Sequence, residues 1–265
     1  MSVDTHFRID GGGTRTPLVL LHGAGLDLTM WDRVVAALAA DRKVVRFDLL
    51  GHGQTVDPPG GRSIEEYVAQ LLGVVEATGA GRPDLAGLSM GGMVALGTAA
   101  RHPESFRRVA LLNTVFDRTP EQKAGNRERL AATEAGGMAA VADLAIDRWF
   151  TPDWQAAHPV DADAVRNKLL ANDPAAYLKA YGLFIEGDPI MPGGAGAITV
   201  PTLVMTGELD SGSTPAMTRS LAARVADGQA VVLPGLHHLP PIEAPEAFAL
   251  NLLDFLDSPD KETLQ

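Results

Sequence analysis

The sequence has 265 residues and no cysteine. That excludes disulfides, thiolate metal sites and a cysteine nucleophile, and it fits a reducing compartment. Long apolar runs are also missing. No stretch approaches 18 uncharged apolar residues, so no membrane-spanning segment is expected. The opening residues "MSVDTHFRIDGGG" lack the basic and apolar regions of a signal peptide. A cytoplasmic location is the expectation. Basic clusters are absent too, and the net charge is −11. This argues against a nucleic-acid groove and leaves a small molecule as the expected partner. Any anionic substrate would then need a local cation. Internal repeats and low-complexity tracts are absent, and a homo-oligomer stays open.

What is present is an alternation of short apolar runs with helical patterns. A chain of this length buries roughly 75% of its unfolded surface. One large domain, with room for an insertion, is expected. Strands are read at residues 16–23 ("TPLVLLHG"), 43–49, "PDLAGLS", 107–114, 201–210 and 229–235. Between them lie a helix over 29–40, with Trp31, Val34, Val35 and Leu38 on one face, and a helix opened by a Ser63–Glu66 capping box. Further helices run from Met90 to about His102 and onward from Pro245. The pattern predicts an α/β fold, a mostly parallel sheet with helices on both faces. From about Val115 to Ile198 the strand rhythm stops. Helical segments fill that stretch and it closes with the loop "DPIMPGGAGA". Residues 1–114 and 199–265 thus read as a core domain and 115–198 as an inserted helical cap. Such a cap would sit over the strand ends, where open α/β sheets bind ligands.

The segment "LAGLSMGGM" places Ser89 in a G-x-S-x-G pattern between a strand and a helix. A sharp strand-to-helix turn there lifts the hydroxyl above the sheet, and small neighbours permit it. The bland alternative is a tight turn with an inert serine. A serine nucleophile needs a base and an orienting acid. The base is sought in "LPGLHHLPP", with His238 favoured over His237. The acid is sought just past a strand, at Asp210, with Glu208 and Asp117 as competitors. Ser89, Asp210 and His238 then stand in Ser–acid–His order. An oxyanion needs two donors, expected from the N–H groups of Met90 and of Ala24 in "LHGAGLDLTMW". Gly23 and Gly25 turn that loop, Gly23 is also expected to contact the substrate, and His22 holds the loop.

On "HGAG", "FDLLGHGQT", "GLSMGG", "GELD" and "GLHHLP", the chain resembles the α/β-hydrolase fold family over essentially its whole length. On "GLDLTMW", "GLSMGG" and "EAGGMAAVADLAIDRWFTPDW" it resembles the 3-oxoadipate enol-lactonases within it. Leu50 stands where arginine is common, and the loop reads "HGAG" where such lactonases often lack the histidine. The resemblance implies hydrolysis of a small lactone or ester bearing a carboxylate, in aromatic catabolism, with no cofactor and no metal. The cation for that carboxylate is sought at Arg148, with Trp149 and Trp154 as apolar walls. A cap-surface pair with Asp143 or Asp147 is the plain alternative for Arg148, and a cap-core role for Trp149. Met90, Met93 and Phe184 are candidate lining residues or core. A general carboxylesterase, a carbon–carbon bond hydrolase, a perhydrolase and a non-catalytic receptor on the same scaffold all share these features.

Overall fold

A computed structural model describes residues 4–186 and 190–259. Seven strands form one sheet: β1 Phe7–Gly11, β2 Arg15–Leu21, β3 Arg42–Phe47, β4 Asp84–Leu88, β5 Val109–Leu112, β6 Thr202–Gly207 and β7 Gly228–Leu233. Their spatial order is β1-β3-β2-β4-β5-β6-β7. β1 runs antiparallel to β3, pairing Phe7 with Phe47. All other neighbours are parallel.

The helices in chain order are α1 Val35–Leu38, α2 Ile64–Ala77, α3 Met90–Arg101, α4 Pro120–Gly136, α5 Ala139–Trp149 and α6 Pro152–Ala157. They continue with α7 Pro159–Leu170, α8 Pro174–Glu186, α9 Ile190–Ala195, α10 Pro215–Arg224, α11 Pro240–Glu243 and α12 Pro245–Leu256.

The apolar run of β2 explains why the sheet is covered on both sides. Successive side chains of a strand point to opposite faces. Val19 and Leu21 join one apolar cluster with Phe47, Leu71, Val94 and Leu111. Leu18 and Leu20 join another with Trp31, Leu38, Phe248 and Leu252. A strand buried on both faces reads as a continuous hydrophobic run rather than an alternation. Ser63 and Glu66 form the expected reciprocal cap of α2, at 2.9 and 3.3 Å.

Three local expectations need correction. β1 is an edge strand with mostly exposed residues, so no apolar pattern announced it. The helix expected over 29–40 is broken. The Asp27 side chain caps a short 3-10 turn at Leu28–Trp31, and only Val35–Leu38 is α-helical. Trp31, Val34 and Leu38 are nevertheless buried, as the face predicted. The loop expected over 188–197 contains α9, which lies against α3 with Ala195 buried; residues 188 and 189 lie outside the described ones. Between β5 and β6 the described residues form α4 to α9 and no strand. No described helix is long and apolar enough to cross a membrane.

Candidate active site

The residues singled out in the sequence sit at the carboxyl ends of neighbouring strands. Ser89 follows β4, Asp210 follows β6 by three residues, and His238 lies in the loop after β7. The loop Gly23–Ala24 follows β2, the neighbour of β4 on the other side.

Ser89 has φ 55° and ψ −113°, a backbone region that only a tightly supported turn holds in a non-glycine residue. Its N–H donates to Leu112 O at 2.8 Å, and its carbonyl accepts from Met93 N at 3.1 Å. The turn is possible because α3 passes very close to β2. A Cβ on Gly91 would lie 2.6 Å from the carbonyl oxygens of Leu21 and His22. Met90 is the first residue of α3, so its N–H has no acceptor within its own helix.

Nδ1 of His238 lies 2.7 Å from Oδ2 of Asp210. An ionised carboxylate only accepts, so Nδ1 donates its proton to Asp210 and Nε2 is the ring nitrogen not engaged by the acid. His237 points elsewhere: its Nδ1 donates to Arg148 O at 3.1 Å, and its N–H donates to Glu243 at 2.8 Å. Of the two neighbours, His238 is therefore the one paired with an acid. Asp210 is 3% exposed. Burial opposes its charge, but the His238 imidazole, Asn113 and the Ser213 N–H outweigh it and hold the carboxyl below the usual range. Oδ1 accepts from the N–H groups of Gly212 and Ser213, each at 2.9 Å. Of the competing acids, Glu208 is engaged by the Gly235 N–H at 2.9 Å. Asp117 lies beyond β5 with φ 49°.

Sequence reasoning missed Asn113. It follows β5 with φ 45°, and its Nδ2 donates to Asp210 Oδ2 at 2.9 Å. The signal was an asparagine at a strand end, a residue type that tolerates the left-handed region.

His22 is buried, and burial lowers its pKa. Its Nδ1 lies 2.8 Å from Gly23 O, and Leu49 N–H donates to its Nε2 at 2.9 Å. Both ring nitrogens are thereby occupied, and His22 braces the loop as expected. Gly25 has φ 74° and lets the loop turn, with Leu26 N–H donating to Gly23 O at 3.2 Å.

Ser89 and His238 open onto one cavity of about 210 Å³. They form no hydrogen bond with each other among the described contacts. Gly23, Ala24, Arg148 and Trp149 line the same cavity. The Trp149 ring stacks on His238 with centroids 5.9 Å apart. Trp154 does not line it, which corrects the expectation of a substrate wall. Its ring stacks on Phe150 at 4.3 Å and its Nε1 donates to Glu243 O at 3.1 Å, so it is used in packing. Phe184 lines the cavity, whereas Met90 and Met93 are fully buried in the core. Unforeseen lining residues are Arg118, Asn126, Arg129, Tyr177 and Tyr181, all from the helical segment between β5 and β6 or its approach. Arg148 makes no ion pair with a described residue; burial and the nearby charge of Arg129 both lower its pKa.

The model of the alpha/beta hydrolase family matches residues 18–251. The chain belongs to the alpha/beta hydrolase family. It is an enzyme, a carboxylic ester hydrolase. It is 28% identical over 234 residues to the (E)-2-((N-methylformamido)methylene)succinate hydrolase of Acinetobacter baylyi, covering 88% of each chain. It is 26% identical over 238 residues to 3-oxoadipate enol-lactonase 2 of the same organism, covering 90% of this chain and 87% of that one. Among solved structures, the enol-lactonase from Burkholderia xenovorans is 34% identical, with a TM-score of 0.87, covering 97% of this chain and 98% of the other. The resemblance to 3-oxoadipate enol-lactonase read from the motifs is thus shared by the whole chain.

Proposed function

We propose that this hydrolase cleaves a small carboxylate-bearing lactone or ester through an acyl-enzyme on Ser89. One observation carries the reading. Ser89 and the Asp210-bound His238 face a cavity whose described lining holds three arginines and no carboxylate, in a chain of net charge −11. The likeness to enol-lactonases supports a lactone as substrate.

In this reading, His238 Nε2 takes the Ser89 proton while Oγ bonds to the carbonyl carbon. Asp210 keeps the imidazole in the required tautomer and stabilises the imidazolium. The N–H groups of Ala24 and Met90 receive the developing oxyanion. The ester C–O bond then breaks, and His238 returns the proton to the leaving oxygen. In a lactone that oxygen stays tethered to the acyl group. Water, deprotonated by His238, attacks the acyl carbon. Ser89 leaves with a proton and the free acid departs. Every proton transfer uses a group of this chain. The helices between β5 and β6 act as a cap, with Arg148 receiving the substrate's carboxylate and Trp149 walling it.

The test is covalent. A fluorophosphonate probe is expected to label the wild-type chain at Ser89. Ser89→Ala is expected to reduce hydrolysis of an activated aryl ester by at least about 10³-fold, with the circular dichroism spectrum unchanged. Activity within about tenfold of wild type would remove Ser89 from the mechanism.

A further inference from the structure

The cavity's helical wall holds more positive charge than one cation site requires. Arg129 comes from α4 and Arg148 from α5, and both line the cavity. Neither has an ion-pair partner among the described residues. The guanidinium of Arg129 is held in place by Asn126 Oδ1 and, through Nε, by the Tyr181 hydroxyl at 3.2 Å. Those partners are neutral. They orient the fork and leave its charge uncompensated, with donors to spare. The guanidinium of Arg148 makes no hydrogen bond with a described residue, while its backbone carbonyl is fixed by His237. Arg118, the third arginine, is different: it donates to the carbonyls of Phe184 and Ile185 and lies over the Phe184 ring.

Two unpaired guanidiniums on adjacent helices, in one partly enclosed space, repel each other. Burial and the charge of Arg129 disfavour the Arg148 charge by more than Tyr181, Asp210 and Tyr177 favour it. Such an arrangement is unfavourable until an anion enters between the two. A carboxylate suits two planar forks, since each of its oxygens can accept from a different guanidinium.

We propose that Arg129 and Arg148 form a two-guanidinium clasp for one carboxylate of the substrate, making Arg129 a specificity-determining residue beside Arg148. With the reacting carbonyl at Ser89 and the carboxylate at the helical wall, the substrate class is an ester or lactone whose carboxylate is remote from the reacting carbonyl. This rests on the reading of Ser89 as nucleophile, and the experiment separates the two claims.

The kcat/KM values of 4-nitrophenyl hydrogen adipate and neutral 4-nitrophenyl hexanoate would be compared in wild type, Arg129→Gln, Arg148→Gln and the double variant. Gln keeps a polar chain at each position, and thermal unfolding verifies the fold. Each single variant is expected to lower the anionic-to-neutral ratio about 10- to 100-fold. The double variant is expected to depart from the product of the single losses by about fivefold or more, because the two side chains act on one group. An unchanged ratio in Arg129→Gln overturns the clasp, and so do single losses that multiply out. Calorimetric titration with adipate decides the matter without turnover. Binding in wild type that is lost in both single variants sustains the clasp. No binding in wild type, or equal binding in all proteins, overturns it. If neither ester is hydrolysed, the nucleophile reading fails and the titration alone still judges the clasp.

Discussion

Nδ1 of His237 lies 3.1 Å from the carbonyl oxygen of Arg148, and the N–H of the next residue, His238, reaches the carbonyl of Trp149 at 3.3 Å. The last carbonyls of a helix have no partner within it. Here the end of α5 supplies them to the loop that carries the proposed base. The same two residues, Arg148 and Trp149, line the cavity. The cavity lining and the placement of the imidazole are thereby joined through one helix end. His237→Ala removes one tie without touching Ser89, Asp210 or His238. It is expected to lower kcat about 3- to 10-fold, the worth of one ordinary hydrogen bond. The fold should be kept, and an unchanged kcat would show that the tie does not position the base.

Asn113 is expected to matter through Asp210. It donates to the carboxylate that holds His238. Asn113→Gly keeps a backbone comfortable at positive φ and removes the donor. A carboxylate that loses a donor becomes more basic. The acidic limb of the pH–rate profile should move to higher pH, and kcat should fall about tenfold. A loss of stability with an unmoved profile would assign Asn113 to packing alone.

The β2–α1 loop is braced by α7 and α8. A Cβ on Gly25 would lie 2.6 Å from Leu169 Cδ2 on α7, at a φ of 74°. Gly25→Ala therefore meets strain of about 1–2 kcal/mol, enough to lower Tm by roughly 2–4 °C or more. The displaced loop carries Ala24, so kcat should drop about tenfold or more. An effect on KM alone would count against Ala24 as an oxyanion donor.

Acid should weaken the attachment of α7 and α8 to the loops after β2 and β3. Lys168 reaches Asp27 and Lys179 reaches Asp57, each at 2.6 Å. Burial opposes the ionisation of both carboxyls, but the lysine bonds, with Thr29 at Asp27 and Arg62 at Asp57, lower their pKa below the ordinary 3.8. A carboxyl depressed in the folded state stabilises it above the unfolded value. That contribution is lost as pH falls through the folded value. Tm should thus decline as pH drops from about 5 to about 3. In Asp27→Asn/Asp57→Asn the starting Tm should be lower and the decline shallower. Equal slopes would mean that other carboxyls carry the acid sensitivity.

The sheet was legible wherever a strand is buried on both faces, as in β2, β4 and β6, because burial demands an unbroken apolar run. β1 escaped notice because an exposed edge strand makes no such demand. The break between Trp31 and Val35 also escaped, since a buried face reads alike in one helix or two short pieces. Ser89 was legible because a tight strand-to-helix turn needs glycines next to it in the chain. The pairing of Asp210 with His238, by contrast, spans 28 residues.

By itself, the sequence determined the alternation of strands and helices, the elbow at Ser89 and the order in which serine, acid and histidine follow one another. Local steric rules and burial patterns impose those, and they act between near neighbours. Only the tertiary structure decided which of His237 and His238 meets the acid, that Asn113 holds that acid, that Trp154 packs away from the cavity, and that Arg129 stands in the wall with Arg148. Each of these depends on how distant helices and strand ends pack together. That packing is a three-dimensional balance of volume and charge that no short stretch of chain records.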